Sequence, residues 1–143
     1  MTTPNQQILI VEDDQDMQDL LAKKLNAGGY SCISALTVED ALKALRKERP
    51  NLVILDLGLP DASGTAFLRN AKNWLPPGVK VPPVIVLSGH GDREVVDYAI
   101  GEGAVRFLTK PLDSEMLLMA VGDCLMSEGR PSSSREGSPE RRP

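Results

Sequence analysis

The chain has 143 residues, 41% of them apolar, which suits one compact domain with a buried core. Its formal net charge of -4 argues against direct contact with nucleic acid, because such proteins present a basic surface. No apolar stretch approaches the roughly 20 residues that span a bilayer, and residues 1–7 lack the features of a signal peptide, so we expect a cytoplasmic protein without a membrane partner.

Five short runs rich in β-branched and apolar residues predict β-strands. In chain order they are residues 8–11, 31–36, 52–55, 84–87 and 105–108. Three of these runs are apolar throughout, which is typical of strands that are buried on both faces of a parallel sheet. We therefore expect helices to cover both faces of the sheet.

Segments with helical periodicity lie between these runs. The predicted helices begin at residue 14 or 15 and end at 27, begin at 37 and end before 50, and then span 64–73, 92–102 and 113–126. In the first helix, Met17, Leu20, Leu21 and Leu25 form one apolar stripe. In the second, Thr37 begins a sequence typical of a capping box.

The alternation of strands and helices predicts an α/β fold. Five strand and helix pairs with right-handed connections give a flavodoxin-like, doubly wound (βα)5 sandwich with a parallel sheet in the order 2-1-3-4-5. The proline-rich stretch 73–83 is expected to be a loop. Residues 127–143 contain no aliphatic or aromatic residue, which predicts a disordered tail or a linker. The domain then spans residues 7–126, after an N-terminal extension of residues 1–6.

Polar residues follow four of the five predicted strands. They are Glu12, Asp13 and Asp14 after the first strand, Asp56 after the third, Ser88 after the fourth, and Thr109 and Lys110 after the fifth. Each has a structural explanation when taken alone: an acid caps a helix or begins a turn, a serine lies in a loop, and a lysine is solvated. Ligands of open α/β sheets, however, bind beyond the carboxyl ends of the strands where the strand order reverses. Because the first and third strands are neighbours there, Glu12, Asp13 and Asp56 are expected to lie close together.

Three adjacent carboxylates repel one another, which raises their pKa values or requires a cation. A hard divalent ion such as Mg2+, or Mn2+, prefers oxygen ligands and suits an open cluster of this kind. Lys110 can reach the cluster from the fifth strand. A cation and a lysine beside a carboxylate can neutralise a phosphoryl group, and an aspartate can be the nucleophile that forms an acyl phosphate.

Four strings, ILIVEDD, VILDLGLPDASG, VIVLSG and FLTKP, occur in the order and spacing of a known family. Because of these four strings, residues 7–126 resemble the receiver domain of two-component response regulators, especially the receivers of regulators of the nitrogen-regulatory or nitrogen-fixation type. The resemblance implies Mg2+-dependent phosphoryl transfer to Asp56 from a sensor histidine kinase or a phosphotransfer protein. It implies a signalling domain that assists its own phosphorylation and dephosphorylation, rather than an enzyme.

The resemblance also assigns metal ligands. Glu12 and Asp13 match the acidic pair of the family. Asp13 and Asp56 are implied as direct ligands of the metal, and Gly58 is implied to contribute its backbone carbonyl.

Other matched residues are implied to form the conformational switch. Ser88 matches the hydroxyl that bonds the phosphoryl oxygen, Lys110 the lysine that contacts the phosphate, and Phe107 the switch aromatic. The bond between Lys110 and Pro111 matches one that is usually cis in the family. Phosphorylation is then expected to change the partner surface of the fourth helix and fifth strand. A homodimer through these elements and the fifth helix is a further implied partner arrangement.

Two other functions stay open at this point. A haloacid-dehalogenase-like phosphohydrolase also uses a strand-end aspartate with a later serine and lysine, although Gly58 stands where that family expects a second acid. An interaction module with the receiver fold but without phosphorylation is the other alternative.

Overall fold

Five β-strands and four α-helices lie within the residues that the structure, a computed structural model, describes: 6–57, 64–89, 97, 100–101, 103–110 and 113–128. The strands are β1 (Gln7–Val11), β2 (Ser31–Ala35), β3 (Leu52–Asp56), β4 (Val84–Ser88) and β5 (Arg106–Thr109). The helices are α1 (Gln15–Ala27), α2 (Val38–Glu48), α3 (Gly64–Ala71), which continues into a 3-10 turn (Lys72–Trp74), and the C-terminal helix (Ser114–Glu128).

The strands form one parallel sheet in the order β2-β1-β3-β4-β5. The predicted flavodoxin-like architecture is therefore confirmed. Of the predicted fourth helix, Asp97, Ile100 and Gly101 are described, and all three are helical. Gly58, Pro111 and residues 129–143 lie outside the described residues.

Two hydrophobic clusters pack on opposite faces of the sheet, as the apolar strands predicted. On β3, Val53 and Leu55 face one cluster, while Leu52 and Ile54 face the other. The first cluster includes residues of α2 and α3, and the second includes residues of α1 and the C-terminal helix. All five residues of β3 are buried, so Asp56 stands at the end of a strand that is packed on both faces.

The apolar stripe predicted for α1 is wrong at one position. The residues buried on this helix are Gln18, Leu21 and Leu25, whereas Leu20 is 46% exposed. Successive helical residues point about 100° apart, so Leu20 and Leu21 cannot both face the centre of the core. The position three residues before Leu21 is occupied by Gln18, whose side chain forms hydrogen bonds to buried backbone carbonyls.

Both ends of α2 have identifiable caps. The side-chain oxygen of Thr37 accepts the backbone N–H of Asp40 at 3.1 Å, so the predicted helix start is confirmed. At the other end, Arg49 adopts a left-handed conformation with φ 52° and donates its N–H to the carbonyl of Leu45 at 3.2 Å. A left-handed residue in this position ends many helices, but it is usually glycine.

The last strand is largely exposed, and the last helix is longer than predicted. β5 lies at the edge of the sheet and is largely exposed, with Phe107 45% exposed. The C-terminal helix continues to Glu128, two residues past the predicted domain end at Met126. No helix among the described residues combines the length and apolar character needed to cross a bilayer.

Candidate functional site

The carboxyl ends of four strands place polar side chains at one edge of the sheet. Val11 pairs with Leu55, so the next residues along β1 and β3, Glu12 and Asp56, are also neighbours. Asp56 in turn pairs with Leu87, one residue before Ser88. Strand register alone thus brings residues that are distant in the sequence to the same edge.

Three carboxylates form the centre of this site. Glu12, Asp13 and Asp56 each offer a ligand oxygen, and these oxygens all lie within 4.8 Å of one another. Glu12 is 2% exposed and Asp56 is 7% exposed, whereas Asp13 is exposed to solvent. The next acid, Asp14, has a structural role, because its side chain accepts the N–H groups of Asp16 and Met17 as the N-cap of α1.

Lys110 supplies positive charge at the same edge. Its Nζ lies 3.2 Å from Oδ1 of Asp56, to which it donates a hydrogen bond, and 3.7 Å from Oε1 of Glu12. Burial lowers the pKa of Lys110, but the negative charges of Asp56 and then Glu12 outweigh that effect and raise the pKa above its ordinary value. Lys110 is therefore a cation at neutral pH.

Glu12 is the most perturbed acid of the site. Burial, followed by the negative charge of Asp56, raises the pKa of Glu12 to about 7, although the N–H of Asp14 and the charge of Lys110 act in the opposite direction. Oε2 of Glu12 accepts the N–H of Asp14 at 3.2 Å. Oε1 is buried and accepts no hydrogen bond from the described part of the chain.

The donor set fits a hard divalent cation. Oε1 of Glu12 is buried without a hydrogen-bond donor among the described residues, and the ammonium group of Lys110, 3.7 Å away, brings a single positive charge to three carboxylates, so a divalent cation would stabilise the cluster further. Asp13 and Asp56 each offer an oxygen within 4.8 Å of one from Glu12, and Asp13 is exposed to solvent, which leaves one side open to water. Mg2+ prefers this combination of carboxylate and water oxygens.

Three other residues were predicted for the site: Ser88, Phe107 and Gly58. Ser88 is 4% exposed at the end of β4, and its carbonyl accepts the N–H of Lys110 at 2.9 Å. Phe107 lies on β5, three residues before Lys110, and pairs with Val86 of β4. Gly58, the predicted carbonyl ligand, lies outside the described residues.

The sequence analysis missed Gln18. This side chain is 1% exposed, and its amide nitrogen donates to the carbonyl oxygens of Ile10, Glu12 and Ala35. The available signal was its spacing, because Gln18 lies three residues before Leu21 on the buried stripe of α1. A polar residue on an apolar stripe is unfavourable unless it has buried partners.

Comparison with known proteins identifies the family. Residues 8–122 match the response regulator receiver domain. The transcriptional regulatory protein GlrR of Escherichia coli is 34% identical over 118 residues, which are 82% of this chain and 26% of GlrR. The transcriptional regulatory protein KdpE of Mycobacterium tuberculosis is 37% identical over 111 residues, which are 78% of this chain and 47% of KdpE. The chain thus spans a quarter to a half of these relatives.

Solved structures agree with this comparison. The receiver domain of NtrX from Brucella abortus is 34% identical, with a TM-score of 0.76 over 84% of this chain and 98% of that one. A CheY-like receiver domain protein from Methanospirillum hungatei is 29% identical, with a TM-score of 0.78 over 87% of this chain and 96% of that one. By sequence and by fold, the chain belongs to the response regulator receiver domain family of two-component systems.

Proposed function

We propose that this receiver accepts a phosphoryl group on Asp56 from the phosphohistidine of a sensor histidine kinase or a phosphotransfer protein. The observation that carries the proposal is the position of the Asp56 carboxylate. It is held by a strand buried on both faces, 3.2 Å from the ammonium group of Lys110 and in reach of two further acids. A nucleophile held in a fixed position reacts faster than a mobile one.

In the transfer step, an oxygen of Asp56 attacks phosphorus as the bond between phosphorus and the histidine nitrogen breaks. The product is an acyl phosphate on Asp56 and a dephosphorylated donor histidine. Lys110 neutralises charge on the incoming group, since its Nζ already lies beside Asp56. A bound Mg2+ would neutralise the phosphoryl oxygens further, held by Asp13 and Asp56, with Glu12 beside them and a backbone carbonyl of Gly58.

We propose that the same residues convert phosphorylation into a change of surface. The phosphoryl group adds about -1.5 to -2 charges. Ser88 donates its hydroxyl to a phosphoryl oxygen, and Lys110 exchanges its bond to Asp56 for one to the phosphate. In this proposal Phe107, which is 45% exposed on the edge strand β5 three residues before Lys110, changes its position when the lysine moves. This favours one of two arrangements of β5 and the predicted fourth helix.

The relatives indicate the biological context of the switch. Several are transcriptional regulators, and this chain matches only their receiver portion. We therefore propose a cytoplasmic signalling domain of residues 7–126 that controls transcription through an output partner. In this proposal residues 1–6 are an extension, residues 127–143 are a tail or linker whose first two residues complete the C-terminal helix, and a homodimer through β5 and the flanking helices is one form of output.

The proposal is tested by incubating the protein with acetyl phosphate and measuring intact mass. We expect wild type to gain one phosphoryl group with Mg2+ present and none with EDTA. Asp56→Asn should gain none, because an amide is not a nucleophile here. Asp19→Asn, which changes an exposed acid of α1, is the matched control and should behave as wild type.

Two outcomes contradict the proposal. One is labelling of Asp56→Asn to the wild-type level, which would place the phosphoryl group elsewhere. The other is wild type without an adduct, which would favour an interaction module that is not phosphorylated. Steady hydrolysis of a small phosphate ester by wild type would instead indicate a phosphohydrolase.

A further inference from the structure

Gln18 connects α1 to the ends of two strands. Its Nε2 lies 2.8 Å from the carbonyl oxygen of Ile10, 2.9 Å from that of Ala35 and 3.2 Å from that of Glu12. A side-chain amide has two N–H groups, so three acceptors require that one proton be shared. Three carbonyl oxygens also fix the orientation of the amide, because its own oxygen would be repelled by them.

These bonds fix the backbone between the two acids of the site. The N–H of Glu12 donates to the carbonyl of Ala35 at 3.0 Å, and the carbonyl of Glu12 accepts from Gln18. Since a peptide group is planar, the carbonyl of Glu12 and the N–H of Asp13 turn together. Gln18 therefore sets the direction in which the chain continues into Asp13, the exposed acid of the site.

A second observation indicates that the donor of Gln18 matters for more than packing. Its Oε1 is buried and accepts no hydrogen bond from any described residue. An apolar side chain of similar shape would avoid that unpaired oxygen. An amide at this position is favoured because the strand-end carbonyls need a donor, and among them is the carbonyl that joins Glu12 to Asp13.

We infer that Gln18 is a positioning residue for the acidic site, which holds Asp13 in place for a divalent cation by fixing the peptide that follows Glu12. The inference rests on the proposed function, because it takes the three carboxylates as the cation site. Gln18 does not contact the cation or the phosphoryl group; it acts through the backbone alone. Groups that orient metal ligands in this way typically change metal affinity by about tenfold to a hundredfold when they are removed.

The test uses the variant Gln18→Met, because the methionine side chain is similar in length to glutamine but has no hydrogen-bond donor. In metal-free protein, NMR should show altered shifts for the carbonyl carbon of Glu12 and the amide nitrogen of Asp13. Titration with Mg2+ should give a Kd raised about tenfold or more. Leu25→Val is the control, because it also lies on the buried face of α1 but at its far end. This control should lower stability and leave both the two shifts and the Kd at their wild-type values.

The inference is overturned if Gln18→Met keeps the wild-type shifts and Kd, or if Leu25→Val changes them equally. Failure of the proposed function gives a different result, in which wild type itself does not respond to Mg2+. In that case the metal-free shifts of Glu12 and Asp13 still decide whether Gln18 fixes the peptide between them.

Discussion

Burial of Glu12 should make the metal-free protein lose stability as the pH rises. Its pKa rises from 4.5 to about 7 on folding, first because of burial and then because of the charge on Asp56. One pKa unit corresponds to about 1.4 kcal/mol, so ionisation of Glu12 disfavours the folded state by about 3 kcal/mol. The folded protein binds this proton more tightly than the unfolded chain does. The contribution is therefore fully present below pH 4.5 and is lost as the pH rises through about 7.

Glu12→Gln isolates this effect, because glutamine has the same shape and does not ionise. The measurement is urea unfolding in EDTA, followed by circular dichroism. Between about pH 4 and pH 8, we expect the unfolding free energy of the variant to rise by about 3 kcal/mol relative to that of wild type. Glu39→Gln, which changes an exposed glutamate of α2, should show a difference that does not depend on pH in this way. Saturating Mg2+ should reduce the advantage of Glu12→Gln at high pH, because the ion favours the charged form of Glu12. A difference for Glu12→Gln that stays constant across the pH range would refute the reasoning.

Two further predictions concern the ends of α2 and are measured by the same urea unfolding. Thr37→Ala should lower the unfolding free energy by about 1 kcal/mol, because the N–H of Asp40 loses its cap, and Thr37→Ser should restore most of it. An unchanged stability for Thr37→Ala would contradict this role. Arg49→Gly should be more stable than Arg49→Ala by about 1 kcal/mol, because only glycine adopts the left-handed conformation without strain. The opposite order would follow if ordinary helix propensity governed this position.

Much of the fold could be predicted because the strands are short and strongly apolar. Runs such as residues 52–55 and 84–87 can only be buried, and the alternation with helices then leaves few topologies. The grouping of Glu12, Asp13 and Asp56 also followed from the sequence, since strand order determines which strand ends are neighbours. Strand bounds differ from prediction by one residue at several ends, where hydrogen bonding rather than composition decides the last residue.

Other features depend on tertiary contacts that a sequence pattern does not contain. Gln18 was missed because a polar residue is normally taken to face solvent, and its partners lie on β1 and β2 rather than on its own helix. Leu20 was wrongly predicted to face the core because an apolar residue is normally expected to be buried. The apolar run around Phe107 does not by itself indicate exposure, but the predicted strand order 2-1-3-4-5 already placed this strand at the edge of the sheet, where Phe107 is 45% exposed.

Burial of the Glu12 carboxylate, one oxygen of which accepts no hydrogen bond among the described residues, has a consequence for how this sequence is maintained by selection. Most random substitutions destabilise a protein, but replacement of Glu12 by glutamine removes a destabilising charge at neutral pH when no cation is bound. Selection for stability alone would therefore favour the loss of this acid. Under the proposed function, the acid is retained because the cation site requires it, and a lineage released from that requirement is expected to lose the acid at position 12 before it loses the fold.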